Sequence, residues 1–206
     1  TLNHSGGLAL RWFRDAFCEP QLARAAESGE DAYDLILEGA SADPSGLLVL
    51  PHFAGAGTPT IDTASKGAVL GLTFSTTRTD LAKAILEGLT YELRLNLDLL
   101  RDGGVGIDVL RAIGGGAHSS LWLQLKADIT GIPVITPRIT EAAAFGAALL
   151  AGAGAGLWPS AAEGSERFLE LTDAYEPDAG RHAAYTELYE RYREVYPAVA
   201  PISRRL

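Results

Sequence analysis

The residues of this chain best placed to do chemistry lie in Gly114-Gly115-Gly116-Ala117-His118-Ser119-Ser120. They follow an apolar run, Val109 to Ile113, and lead into a helical stretch that begins at Ser119 or Ser120. Glycine at a strand-to-helix junction lets a ligand touch backbone that a Cβ would shield. The first N–H groups of a helix have no intrahelical partner, so an anion such as a nucleotide phosphate suits that junction. Two other phosphate-binding patterns are missing. A Gly-x-Gly-x-x-Gly fingerprint begun at Gly114 needs glycine where Ser119 stands, and no Gly-x-x-x-x-Gly-Lys-[Ser/Thr] occurs. A tight turn that binds nothing is the alternative reading of these glycines taken alone.

A second group lies near the start, in Gly6-Gly7-Leu8-Ala9-Leu10-Arg11-Trp12-Phe13-Arg14-Asp15. Arg11 is a fixed cation with several donors, suited to a phosphate or ribose. Its alternative is a surface position on an amphipathic helix. Trp12 falls in the apolar stripe and is assigned to the core. His4, His52, His118 and His182 show no metal-ligand spacing. Glu141 opens a helix, where a carboxylate suits the macrodipole. Gln124 and Asp128 read as helix-surface or helix-packing residues. No residue of this chain stands out as a catalytic base or a metal ligand.

These segments resemble the FGGY family of carbohydrate kinases, which includes the xylulose and glycerol kinases. The family reads Gly-Gly-Gly-Ala-x-Ser-x-x-Trp-x-Gln-x-x-Ala-Asp, then Glu-Ala-Ala-Ala-x-Gly-Ala-Ala. The chain has Gly114 to Asp128 and Glu141 to Ala148 in that order and spacing. Gly7 to Asp15 is similar to the family's Gly-x-x-x-x-Trp-x-Arg-Asp helix. The likeness extends through Leu50 to Pro59 and Lys66 to Leu72, and weakly into the terminal helix. Gly55-Ala56-Gly57-Thr58-Pro59 departs from the Gly-Glu-Arg-Thr-Pro usual among xylulose-type members. Arg11 departs too, since glycerol kinases often carry glutamine there.

The resemblance implies an α/β, actin-like ATPase domain of the ribonuclease-H-like type, a short mixed sheet flanked by helices. It makes residues 1–206 the C-terminal nucleotide-binding domain of such a kinase, with the sugar-binding and catalytic N-terminal half outside the sequence. It places Gly7, Arg11, Gly115, Gly116, Ala117 and Ser120 against the nucleotide. ATP and Mg²⁺ are the implied cofactors, and a ketose such as a pentulose, or a polyol, the implied acceptor. The N-terminal kinase domain is the implied partner. Removing it weakens nucleotide binding and exposes an interface through which a homodimer forms. A different class of function, a non-catalytic nucleotide-sensing or assembly module, would use the Tyr185 to Tyr192 segment and the 51–67 loop as contact surfaces. A dinucleotide-dependent oxidoreductase ranks last, because both the glycine fingerprint and a ribose-binding acid are missing.

The elements that must hold these residues follow from periodicity. Leu8, Trp12, Phe13 and Phe17 have helical spacing. Residues 22–28 and 32–39 predict two short helices, and Leu47 to Leu50 a buried strand. Pro51 to Gly67 is a long loop, followed by a short strand at 69–73. Leu81, Ile85, Leu89, Leu93, Leu97 and Leu100 draw the stripe of the longest helix, 80–101, with Thr79 as its cap. Strand 108–113, helix 119–130, strand 133–136 and helix 141–152, capped by Thr140, come next. The last of these reads as a tightly packed internal helix, with a turn region at 152–164. An amphipathic helix over 182–195 ends the pattern, which as a whole predicts α/β layers.

The totals narrow the class of function. The chain has 206 residues, is 47% hydrophobic and carries a net charge of −9. An acidic chain without a basic cluster speaks against nucleic acid and anionic membranes as partners. No run approaches the roughly 20 apolar residues of a membrane helix. Cys18 is the single cysteine, so neither an internal disulfide nor a thiolate zinc site can form, and a cytoplasmic setting is expected. The chain contains no methionine and starts at Thr1, which reads as a piece of a longer protein.

Overall fold

The structure is a computed structural model that describes residues 6–206; His4 lies outside them. Three helices open the chain: α1 (Gly6–Phe17), α2 (Glu19–Ser28) and α3 (Ala32–Leu37). A hairpin of β1 (Leu48–Leu50) and β2 (Ala68–Leu70) brackets the 51–67 loop, pairing Leu48 with Leu70 and Leu50 with Ala68. Then come α4 (Arg78–Asp102), β3 (Leu110–Arg111), α5 (Ser120–Thr130), β4 (Val134–Pro137), α6 (Ala142–Gly154), α7 (Ala161–Phe168), β5 (Leu171–Tyr175) and α8 (Ala179–Ser203). β3 and β4 run parallel, β4 and β5 antiparallel, so the second sheet is mixed, in the order β3-β4-β5.

The long helix α4 is the centre of the core. It starts two residues earlier than its leucine stripe predicts. Thr77 is the cap, its hydroxyl accepting from Asp80 N while Thr77 N donates to Asp80 Oδ2, a reciprocal box that ties off two helix-end donors. The Thr77 hydroxyl also donates to Asp80 Oδ2, and this bond, then that from Thr77 N, holds the Asp80 carboxyl below its usual range. Thr79, expected as the cap, instead donates its hydroxyl to the Ile36 carbonyl and binds α3 to α4.

The inward face of α4 buries charge as well as hydrocarbon. Glu87 is fully buried and accepts from Ser45 N, the Tyr185 hydroxyl at 3.0 Å and Lys83 Nζ at 2.9 Å. Glu92 accepts from the Tyr192 hydroxyl at 2.6 Å and lies 3.4 Å from His52 Nε2, while His52 Nδ1 meets Ser65 Oγ. Buried ions persist where such partners replace water. Tyr91 fills the space among Tyr185, Tyr189 and Tyr192, at ring distances of 5.0–6.5 Å. Burial, then the facing carboxylates, push the Tyr185 and Tyr192 hydroxyls well above the usual phenol range. Tyr185, Tyr189 and Tyr192 are therefore core, and their rings are not part of a contact surface.

Several expectations change on contact with the structure. α8 runs past the predicted end at 195 to Ser203, with Pro197 and Pro201 inside it. Proline removes a ladder hydrogen bond, but this end is held from outside. Asp62 of the 51–67 loop accepts from the Tyr196 hydroxyl and from Arg204. Helix α6 carries no cap from Thr140, and Glu141 at its N-cap position makes no capping bond. Nor is it internal: Leu149 and Gly152 are its only buried residues, and Leu150 is 67% exposed. The close packing expected of Gly146 occurs instead at Gly152, which lies under the Trp158 ring. Helix α7 and strand β5 lie in a region read as turn and unassigned chain. Helix α7 buries only Gly164, and no residue of β5 is buried, so neither shows the large apolar residues of a core element. Trp12 is 48% exposed and stacks on Phe53 and Phe17 instead of entering the core.

Two glycines predict opposite responses to a methyl group. A Cβ at Gly88 would overlap the Val49 carbonyl oxygen, because α4 and β1 touch there backbone to backbone. Gly88→Ala should cost about 3 kcal/mol, read as a lower urea midpoint at unchanged slope. A Cβ at Gly146 would meet nothing, so Gly146→Ala should be neutral or stabilise by up to about 1 kcal/mol in the same measurement.

Candidate functional site

A cleft of about 930 Å³ opens between α1, α3 and the start of α5. Its base is apolar, built by Leu10, Leu37 and Leu86. One wall is the first turns of α1, with Gly7 and Arg11. The facing wall is the glycine turn, which contributes Ile113, Gly115, Gly116, His118 and Ser119. Asp31, Tyr33 and Asp34 border it from the head of α3, and Trp122 and Lys126 from α5.

The three glycines of the turn answer to three different constraints. Gly114 sits at φ 71°, in the left-handed region, and its N–H reaches the Thr140 carbonyl at 2.9 Å. Gly115 and Gly116 then begin a 3₁₀ turn, Gly115–Ala117, that leads into α5. A Cβ on Gly115 would meet no atom, so this position faces the open cleft. A Cβ on Gly116 would lie 2.8 Å from Trp122 Cζ3, so Gly116 is small to admit the indole ring. That ring is pinned by its own N–H, which donates to Thr90 Oγ1 of α4 at 3.1 Å. Gly7 also has open space where a side chain would stand.

Helix α5 begins at Ser120, with Ser119 as its cap through a bond from Trp122 N. Of the six residues expected at the nucleotide, Gly7, Arg11, Gly115 and Gly116 share this cleft. Ala117 does not line it; its methyl is buried beneath the turn. Ser120 is exposed at the first helical position and also stands outside the lining. His118 contacts Thr140 Oγ1 at 3.4 Å. Asp128 is 1% exposed and accepts from Asp178 N, Arg181 Nε and Gln124 Nε2, so the packing reading holds and the surface reading does not.

Lys126 is the residue that the sequence reading passed over. Its Nζ lies 4.1 Å from the Trp122 ring centroid and 3.5 Å from the Gly116 carbonyl. Burial pushes this amine down from the ordinary 10.5 to about 8. A usable signal existed: Ser119, Trp122 and Lys126 fall at i, i+3 and i+7, one helical face leading back to the glycine turn. Asp31, Tyr33 and Asp34 gave no such signal, since only the packing of α3 beside α1 brings them to the cleft. Among the described residues, no three histidine, cysteine or carboxylate side chains come together as a metal site. No helix among them is long and apolar enough to cross a membrane.

Comparison with known proteins agrees with this arrangement. The pattern of the FGGY family of carbohydrate kinases, C-terminal domain, matches residues 2–155. A xylulose kinase of Staphylococcus epidermidis is 32% identical over 98% of this chain and 38% of its own length. A glycerol kinase of Rhodopirellula baltica is 37% identical over 83% of the chain and 30% of its own length. Among solved structures, a ligand-bound xylulose kinase from Lactobacillus acidophilus superposes with a TM-score of 0.78 at 25% identity, covering 96% of this chain and 39% of that one. A Plasmodium falciparum glycerol kinase with ADP shares the fold, with a TM-score of 0.73 at 22% identity, over 93% of this chain and 37% of its own. The chain thus spans less than two fifths of the length of these relatives. With the actin-like α/β fold and the Gly114 to Asp128 segment in place, the chain belongs to the FGGY family of carbohydrate kinases and corresponds to its C-terminal domain.

Proposed function

We propose that this chain is the nucleotide-binding half of an ATP-dependent kinase acting on a sugar or polyol hydroxyl, with a ketose such as a pentulose as the favoured acceptor. The observation that carries the reading is the cleft itself. Backbone without side chains at Gly7 and Gly115, a cation at Arg11 and the start of α5 face one another across a volume fit for a mononucleotide. Gly116 and Ser119 complete that wall, with Ala117 and Ser120 beside it.

Phosphoryl transfer demands positioning and charge neutralisation, together with a base for the attacking hydroxyl. This chain contributes the first two. The base and the acceptor site belong to an N-terminal half, whose closure over the cleft would exclude water. Mg²⁺ would enter with the nucleotide, bound to its phosphates. Such an enzyme works in a reducing cytoplasm, which the single buried Cys18 suits.

Calorimetric titration with Mg-ADP tests the nucleotide site. Gly115→Val places a side chain in the cleft without touching a neighbour and should lower affinity about tenfold or more, a loss of about 1.4 kcal/mol, with an unchanged circular dichroism spectrum. Gly116→Val is the poorer probe, because it strikes Trp122 first. The kinase reading is tested by adding the N-terminal half of a xylulose kinase and following ATP-dependent phosphorylation of xylulose and glycerol. ADP affinity with no phosphorylation of any sugar or polyol would favour the binding module. No ADP binding at millimolar concentration, with or without that half, would sink the nucleotide reading.

A further inference from the structure

The cleft contains a cation with which no carboxylate of the described residues forms an ion pair. Lys126 reaches it from the second turn of α5, its stem against Trp122 and its ammonium beside the Gly116 carbonyl. That carbonyl is a weak partner at 3.5 Å, and an aromatic face offers only modest compensation. The charges around it are otherwise engaged or stand apart. On α4, Glu87 is occupied by Lys83, Ser45 and Tyr185, and Arg94 by the Ile129 carbonyl and Thr186. On α8, Arg181 is paired with Asp128. Arg11, His118, Asp31 and Asp34 also line the cleft. Among the described residues, none of these carboxylates forms an ion pair with Lys126, whose amine responds to burial alone.

Resting on the nucleotide reading above, we infer that Lys126 is a further binding residue of this site, donating from Nζ to a phosphate oxygen of the bound nucleotide. The ligand brings the counter-charge that the protein withholds. An ammonium held partly dry gains more from a phosphate than one in open water, because the competing solvent is already gone. Arg11 lines the same cleft from α1, so a phosphate chain bound there has two cations within its walls. The purine, which carries no charge, makes no use of Lys126.

The test compares adenosine with Mg-ADP in the parent, Lys126→Met and Lys126→Arg. Methionine keeps the apolar stem against Trp122 and removes the charge. Lys126→Met should weaken ADP about tenfold at pH 7, one charge-assisted hydrogen bond, and leave adenosine unchanged. The amine deprotonates near 8 in the free protein. Phosphate binding must raise that value, so ADP affinity in the parent falls as pH rises through 8, by about tenfold for each unit of the rise. Lys126→Arg should keep the affinity and flatten the pH profile, since guanidinium stays charged.

The unliganded protein should show the opposite ordering. The unfolded chain holds this proton up to the ordinary 10.5 while the folded chain sheds it near 8, so parent stability rises with pH between those values. Lys126→Met should therefore have the higher Tm at pH 7, with the gap closing toward pH 10.5. Equal losses for adenosine and ADP would overturn the assignment by making Lys126 a support for the ring alone. Unchanged ADP affinity in Lys126→Met, with Gly115→Val still abolishing it, would overturn the role of Lys126 and leave the site standing. Failure of the parent to bind ADP would overturn both.

Discussion

Two carboxylates of one helix, Glu87 and Glu92, are taken out of water and answered by hydroxyls of α8. Desolvating a carboxylate is expensive, and only a full set of donors makes it tolerable. Tyr185, Lys83 and Ser45 provide that set for Glu87, and the Tyr192 hydroxyl donates to Glu92. Because two of these donors sit on α8, one register of α8 on α4 satisfies both carboxylates together. A hydrophobic face alone would tolerate sliding; these bonds do not.

Everything that positions the cleft hangs on that helix. Thr79 ties α3 to α4, Thr90 holds the Trp122 ring, and Gly88 lets β1 lie directly on the helix backbone. Trp122 in turn sets where Gly116 passes and where Lys126 can reach. The cleft is therefore the open margin of a rigid core, with its donors aimed by packing two layers below. Loop 51–67 is held by α4 through Asn96, which donates to the Thr58 carbonyl, and by the C-terminal end of α8 through Asp62 to Tyr196 and Arg204. The bonds from Tyr196 and Arg204 keep the Asp62 carboxyl below its usual range.

Much of this was legible in the residues, for identifiable reasons. Helix α1 buries one face and exposes the other, so its periodicity shows in the sequence, while the leucines of α4 mark a helix enclosed on all sides from Ala82 to Glu92. β1 is apolar throughout because it is covered by α4 and paired with β2. Helix α7 buries only Gly164, and no residue of β5 is buried, so neither has the large apolar residues of a core element. Helix α6 misled in the other direction, since its small apolar residues look internal yet face outward. Trp12 kept helical spacing with Phe13 and Phe17 but ended on the surface beside Phe53, a contact no local pattern encodes. The glycine turn showed a site without revealing that its three glycines serve backbone angle, ligand space and an indole ring in turn. Lys126 was hidden for a related reason. A lysine on a helix reads as solvated until tertiary contacts dry it.

The partners of the buried carboxylates also set an order of events. Tyr185 reaches Glu87 across 98 positions of sequence and Tyr192 reaches Glu92 across 100. On a ribosome, α4 emerges long before the helix that can neutralise its inward face. Until α8 arrives, those carboxylates do better in water, and the helix is discouraged from burying that face prematurely. Contacts of such long range slow the approach to the native state. They also make α8 the helix that commits the domain, so that cleft, hairpin and anchored loop lock together once it has emerged.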